Sequence, residues 1–436
     1  MTANMKNSGV DWIGEIPENW EVMPVKYHFF SKKEVVGNSA DNYERLALTL
    51  HGVIKRSKED SEGLQPEKFE TYQIVRNNYL IFKLIDLENI KTSRVGLSEY
   101  EGIVSPAYII LISNGDILPE YAEKYFLNLW YQHIFNDLGS AGVRSNLNKE
   151  DLLNLPIIKP TIPEQKKISN FLNEKIKIID NEIDNAENLI KKYNEYKQSL
   201  ITEVVTKGLN PKAHMKSSGA QWMPVIPKHW ETAKFKFHLQ VDENKGFPNL
   251  EVLSLYREYG VIPKNSRDDN HNVTSEDTSS YKHVVNGNFV VNKMKAWQGS
   301  VAVSEYEGII SPAYYVYKFT SQVFNPRFFH YMIRNRSYAP EFRRLSGGIR
   351  EGQWDLSRYS LENILILIPP IKEQNEIVKF LDEKCNLIDS LILEKERIIK
   401  ELEEYKKSLI FEYVTGKKEV PEWCSVLMKE KSIKSL

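Results

Sequence analysis

Two cysteines in 436 residues cannot build a disulfide framework. Without His or acidic partners at ligand spacing they cannot hold a structural zinc either. Long apolar runs are also missing. The longest, ILILIPPI from Ile364 to Ile371, is strand-sized and far short of a membrane span, and MTANMKNSGVDW at the start lacks a signal-peptide core. A reduced, cytoplasmic protein is expected, with no membrane partner. Excess charge of one sign is absent: 58 basic and 59 acidic residues leave a net charge of −1, against the basic surplus of a self-sufficient nucleic-acid binder. Catalytic signatures are absent too. TGKKE (Thr415 to Glu419) has neither the first glycine nor the hydroxyl of a phosphate loop. No FxGxG or NPPY-type methyltransferase motif, HExxH or GxSxG occurs. The nine histidines form no ligand-spaced cluster, and His28 and His238, equivalent in position, read as structural. The chain reads as non-catalytic, with no catalytic, cofactor or metal residues of its own.

What the chain does have is a copy of itself. MKNSGVDWIGEIPENWEV (Met5 to Val22) returns as MKSSGAQWMPVIPKHWET (Met215 to Thr232). EYEGIVSPAY (Glu99 to Tyr108) returns as EYEGIISPAY (Glu305 to Tyr314), and EQKKISNFLNEKIKIID (Glu164 to Asp180) as EQNEIVKFLDEKCNLID (Glu373 to Asp389). Two long copies are too few for a solenoid. They imply two similar globular units related by a pseudo-two-fold axis.

Each copy opens with a Trp-rich, Pro-broken segment: Trp12, Pro17 and Trp20, then Trp222, Pro227 and Trp230. Strand-like runs follow at Tyr79 to Ile85, Ala107 to Ile112 and Gly287 to Met294, and amphipathic helices are expected at Tyr121 to Phe135 and Asn325 to Asn335. A long charged helix then starts beyond a proline, Pro163 with Glu164 in the first copy. Its heptad seam takes Leu172, Ile179, Ala186, Tyr193 and Leu200 at one position, and Ile176, Ile183, Ile190, Lys197 and Val204 at the other. The second helix repeats it with Leu381, Ile388, Lys395, Leu402 and Leu409, and with Cys385, Ile392, Ile399, Lys406 and Tyr413. Seventeen of these twenty positions are apolar, the mark of paired coiled-coil helices. At about 43 residues each they would span about 65 Å.

The expected fold class is therefore α+β: two pseudo-symmetric mixed α/β blocks joined by a long antiparallel two-helix coiled coil, one block at each end. The boundaries are 1–160 for the first block, 161–210 for its helix, 211–370 for the second block, 371–420 for its helix and 421–436 for a tail without a counterpart. Lys197 and Lys406 share a seam position, where each either sets the register or snorkels to water. Cys385 on the seam reads as a structural thiol.

Binding chemistry is what remains. Lys293, Lys295, Trp297 and Gln298 fall on a strand and the turn after it. Lysine donates to phosphate or guanine, and glutamine can pair bidentately with adenine. RRLSGGIREGQWDL joins three glycines to Arg343, Arg344, Arg350 and Gln353, and its first-half equivalent LGSAGVRSNLN carries Arg144, Ser145 and Asn146. The first block adds Lys55, Arg56, Lys83, Lys91 and Arg94. Read singly, Lys293 and Lys295 are better taken as a solvated face and Trp297 as core; the Gly-rich, Arg-bearing loop is the stronger signal because it recurs in both halves, with a plain loop as its alternative. A catalytic single-chain nuclease or methyltransferase and a two-headed protein scaffold are the competing classes.

The phrases IPENW, IPKHW, KMKAWQG, SPAY and GGIREGQWDL, with both EQ helices, cover Met5 to about Val420. Together they make the chain resemble the specificity subunit of type I restriction–modification enzymes. The resemblance implies two target-recognition domains, each reading one half of a split double-stranded DNA target, and helices that set the gap and dock two methyltransferase (modification) subunits. Those partners would bring S-adenosylmethionine and methylate adenine. Motor and nuclease (restriction) subunits using ATP and Mg would complete the complex.

Overall fold

The computed structural model describes residues 4–60, 68–139, 146–267, 274–275, 277–348 and 354–421. The chain folds into two compact units, one drawn from Met1–Ala186 with Arg397–Leu436, the other from Glu187–Glu396. Each unit combines one block with a stretch of both long helices. Among the described residues no helix is long and apolar enough to cross a membrane.

Both units are built on the same four-stranded sheet. In the first, Leu80–Phe82 lies between Ile109–Ser113 and Val95–Leu97, with Phe29–Phe30 at the edge. In the second, Phe289–Asn292 lies between Tyr314–Phe319 and Val301–Val303, with Leu239–Val241 at the edge. The central strands are apolar throughout because both faces are covered: Leu80, Ile81 and Phe82 are fully buried, as are Phe289, Val290 and Val291. The strand runs expected from sequence all fall on these elements.

Helices close one side of each sheet. Pro119–Tyr131 starts with its proline where a missing N–H costs nothing, and buries Tyr121, Tyr125, Phe126 and Leu129 at helical spacing. The expected single helix to Phe135 is broken. His133 takes a left-handed conformation (φ 60°), and a separate turn, Ile134–Leu138, directs Ile134 and Phe135 into the core. In the second unit Pro326–Arg334 is capped by Asn325, whose side chain accepts from Arg327 N and Phe328 N. On this helix His330 Nδ1–H donates to Val303 O at 3.3 Å, and burial with Arg334 nearby pushes its pKa down to about 3. The unfolded ring titrates near 6.5, so the stability this site contributes is complete above pH 6.5 and is lost as pH falls towards 3. Urea midpoints of the second unit should fall between pH 7 and 4, and His330→Gln should flatten that slope; parallel slopes would rule the site out as the cause.

The long helices, Ile162–Lys207 and Ile371–Val414, pack antiparallel within each unit. In the first, Phe171 lies 4.6 Å from Tyr413, and Leu172 and Ile179 share a core with Leu409 and Ile410. In the second, Ile201, Val204 and Val205 meet Ile377, Leu381 and Cys385. Every seam residue named above is buried or half-buried. Lys406 bonds Asp180 at 2.6 Å and Lys197 bonds Asp389 at 2.6 and 2.7 Å, so both lysines pair across the helices rather than snorkel alone. A half-buried pair of this kind adds little net stability, because desolvation offsets most of the attraction. Cys385 is 5 % exposed and burial pushes its thiol up; Cys424 lies outside the described residues.

The repeated Trp and EQ motifs lock the helix starts. Trp20 Nε1 donates to Glu164 at 3.1 Å, and Trp230 Nε1 to Glu373 at 3.0 Å. Each following glutamine is fully buried. Gln165 accepts from Leu118 N (2.7 Å) and donates to Asp116 O and Pro160 O, while Gln374 accepts from Asn325 N (2.9 Å) and donates to Val323 O and Pro369 O. The other end of each helix arrives at the same places. Gly208 (φ 75°) abuts Trp230 and Glu373, and Gly416 (φ 71°) abuts Pro17 and Trp20, where a Cβ would stand 2.9 Å from the indole. His28 and His238 are structural as expected: His28 bonds Asp116 at 2.8 Å and His238 faces Ser321 at 3.2 Å.

Candidate nucleic-acid interface

In the second unit the loop residues converge. After strand Phe289–Asn292 the chain turns through a short helical turn, Ala296–Gln298, which ends at Gly299 (φ 90°). Buried Ala296 roots the turn, so Lys295 and Gln298 are held out in solvent. Trp297 donates to Met294 O at 3.1 Å and meets Trp354 edge-on at 5.6 Å. Arg343 lies over the Trp354 ring at 5.8 Å, and Lys293 stands 3.8 Å from Asp355. Trp354 and Asp355 close the segment of RRLSGGIREGQWDL, whose ends pair as strands, Ser346–Gly347 with Asp355–Leu356. Lys293, Trp297 and Arg343 thus form one cationic, aromatic surface at the base of the Gly-rich segment. Such a surface can stack on a base or sugar and neutralise phosphate. Arg344 makes two 2.7 Å bonds to Glu341, which answers its charge locally. Arg350 and Gln353 lie outside the described residues.

The first unit repeats this geometry with different side chains. Leu147 N donates to Leu84 O at 3.0 Å, as Leu356 N does to Lys293 O at 2.9 Å. Asn146, on the Gly-rich side, accepts from Asp86 N at 3.1 Å. Lys91 is exposed. Arg94, expected at a DNA surface, is instead fully buried: its guanidinium donates to Asp86 O at 2.7 Å and to Asn89 O. Lys83 is half-buried and bonds Thr92 at 3.1 Å; burial lowers its pKa and the charge of Arg94 adds to the effect. The sequence shows cations here but not that two of them turn inward, because the chain around them alternates no more regularly than a surface loop does. Arg144 and Ser145 lie outside the described residues.

Lys55 and Arg56 sit apart from this loop, on the hairpin Arg45–Thr49/Gly52–Arg56. Lys55 is exposed over Tyr100 at 5.3 Å, and Arg56 bonds Asp60 at 2.6 Å. Beside them is an open cleft of about 550 Å³ whose lining includes Arg45, Lys55, Arg56 and Lys58 against Asp41, Glu44 and Glu59. Sequence reasoning missed Tyr359, 79 % exposed on the short helix Arg358–Glu362, and Trp354; an exposed aromatic carries no sequence signal that separates it from a core one. Among the described residues no group of His, Cys, Asp and Glu is placed to hold a metal.

Residues 28–192 and 227–404 match the type I restriction modification DNA specificity domain. Two proteins of Methanocaldococcus jannaschii are similar along almost their whole length. One, named as a candidate MjaX type I restriction enzyme specificity subunit, is 25% identical over 93% of this chain and 95% of its own. The other, the type I restriction enzyme MjaVIII specificity subunit, is 24% identical over 92% of this chain and 93% of its own. The fold is similar to that of a chain solved in work on complex assembly and conformational transition of the type I R-M system. That likeness has a TM-score of 0.65 at 13% identity and covers 92% of this chain and 98% of that one.

Proposed function

Because the chain belongs to the type I restriction–modification DNA specificity family and is a specificity subunit, we propose that each unit reads one half of a split double-stranded DNA target. The observation that carries this reading is the pair of equivalent loops, anchored by the same backbone bond in both units and bearing different side chains. A common frame with divergent tips is what two half-sites of different sequence require. Lys91, Lys55 and Arg56 supply contacts in the first unit, and Lys293, Lys295, Gln298 and Arg343 in the second. Arg144, Ser145, Arg350 and Gln353 extend each set through the Gly-rich segments. Arg94 and Lys83 support the first loop from within and Asn146 from its exposed side, and Arg344 is assigned to Glu341.

The chain carries no chemistry of its own in this reading. Two methyltransferase subunits dock on it with S-adenosylmethionine and methylate adenine; restriction subunits bring ATP and Mg. The seam residues, from Leu172 to Leu409, form a coiled coil that sets the gap. A near-neutral net charge fits a protein that shares its phosphate contacts with partners. Co-expression with a cognate methyltransferase, followed by mapping of modified adenines in host DNA, should reveal one split motif with a fixed gap. A stable complex that modifies a continuous motif, or none, would refute the two-unit reader.

A further inference from the structure

The two units differ where the chain leaves the central strand and returns as its neighbour, at residues 83–94 in the first unit and 293–300 in the second. Past the shared anchor at Leu84 and Lys293, the first loop is the longer and is pinned from two directions. Arg94 holds it from inside through the carbonyls of Asp86 and Asn89, and Asn146 holds it from the side through Asp86 N. Asp86 itself is left-handed (φ 54°), a conformation that persists only where surrounding contacts impose it. Lys91 N then closes the tip by donating to Asn89 Oδ1 at 3.0 Å.

Burying a guanidinium is costly, and Arg94 keeps its Nε and Nη1 without hydrogen-bond partners. The fold bears this cost to present a fixed tip. That tip carries Ile90, 71 % exposed, followed by exposed Lys91. The shorter loop of the second unit also has an exposed apolar residue followed by lysine, Met294 (45 % exposed) and Lys295, but directly after its anchor at Lys293. A lone exposed aliphatic residue needs no explanation. An exposed aliphatic residue followed by lysine at the turn of a loop braced by a buried charge does.

Isoleucine can neither donate nor accept a hydrogen bond, and the apolar feature of a base edge in the major groove is the thymine methyl. We propose that Ile90 determines one position of the first half-site by packing on the 5-methyl of a thymine, with Lys91 on an adjacent phosphate. Arg94 is the positioning residue that holds Ile90 there. This rests on the reading of the chain as a two-unit DNA reader.

The test uses the full chain in complex with its methyltransferase subunit and duplexes carrying the mapped motif. Each thymine of the first half-site is replaced in turn by deoxyuridine, which removes the methyl and nothing else. One replacement should weaken binding by the wild-type complex about 4-fold, the value of one buried methyl-sized group. The same replacement should leave the Ile90→Ala complex unaffected. Arg94→Lys should blunt the thymine-over-uracil preference at that same position; a purely structural role would lower the melting temperature and leave the preference intact. A half-site without thymine, or uracil effects that persist in Ile90→Ala, overturns the assignment. Trp297→Ala separates this failure from that of the broader reading. If it alters only the second half-site while Ile90→Ala alters neither, the assignment of Ile90 falls and the two-unit reader stands. If the mapped motif is not split, both fall.

Discussion

A chain ending at Glu396 is expected to lose the folded first unit while the second keeps its fold. The reason is the origin of the first core. Leu409, Ile410, Tyr413, Val414 and Val420 come from the far end of the sequence, yet all are buried among residues of the first block and the first long helix. Tyr121 donates to Val414 O at 3.0 Å, and Gly416 packs on Pro17 and Trp20. Each buried apolar side chain contributes about 1.5–3 kcal/mol. Losing five approaches the whole stability of a domain, about 5–15 kcal/mol. The main core of the second unit, from Ile201 to Cys385, is drawn from residues between Glu187 and Glu396. Hydrogen exchange should show lost protection at Leu80–Phe82 and Ile109–Ser113 and retained protection at Phe289–Asn292 and Tyr314–Phe319. A peptide of residues 397–421 added in trans should restore the first set. Protection of both sets in the truncated chain would mean that the terminal stretch is dispensable to the core.

Gln374→Glu is expected to destabilise the second unit far more than an isosteric change on the surface would. The amide of Gln374 donates to Val323 O at 2.7 Å and to Pro369 O at 2.8 Å from a fully buried position. A carboxylate cannot donate, so two buried carbonyls lose their partner and face a negative charge. Each buried unsatisfied group costs about 1–3 kcal/mol, so the two carbonyls alone amount to about 2–6 kcal/mol. Protonation would restore one donor, so the deficit should narrow as pH is lowered. Gln165→Glu should do the same to the first unit, through Asp116 O and Pro160 O. Chemical denaturation of each variant, monitored at tryptophans of the two units, measures both effects. A midpoint unchanged in Gln374→Glu would mean that the buried amide does not hold the helix start.

These expectations show where sequence reasoning reached and where it stopped. The heptads named the buried stripe of both long helices because a 3.5-residue period survives any tertiary arrangement. Strand runs such as those around Leu80 and Phe289 were legible for the same reason: residues covered on both faces must be apolar throughout. The EQ pairs were visible as repeated letters, but their role was not. Nothing local reveals that Gln165 and Gln374 bond to three backbone groups each, or that Glu164 and Glu373 receive an indole N–H from residues about 145 positions away. Lys197 and Lys406 stood out as polar seam residues, and their partners Asp389 and Asp180 could be named only once the antiparallel register was known.

The candidate interface divides in the same way. Residue type pointed to Lys91, Lys293 and Lys295, and the recurring Gly-rich segment to Arg343; these lie on exposed loops or at their base. Arg94 carried the same sequence credentials and is buried, because which cation in a loop turns inward depends on which carbonyls the folded loop leaves to be satisfied. By itself the sequence determined that there are two units, that each has a mixed sheet-and-helix core, and that two long amphipathic helices follow them, since repeats and hydrophobic periods are properties of the chain. The tertiary structure alone decided that the C-terminal residues complete the first core and which charges are braces and which face solvent, because burial and hydrogen-bond satisfaction are set by groups distant in sequence.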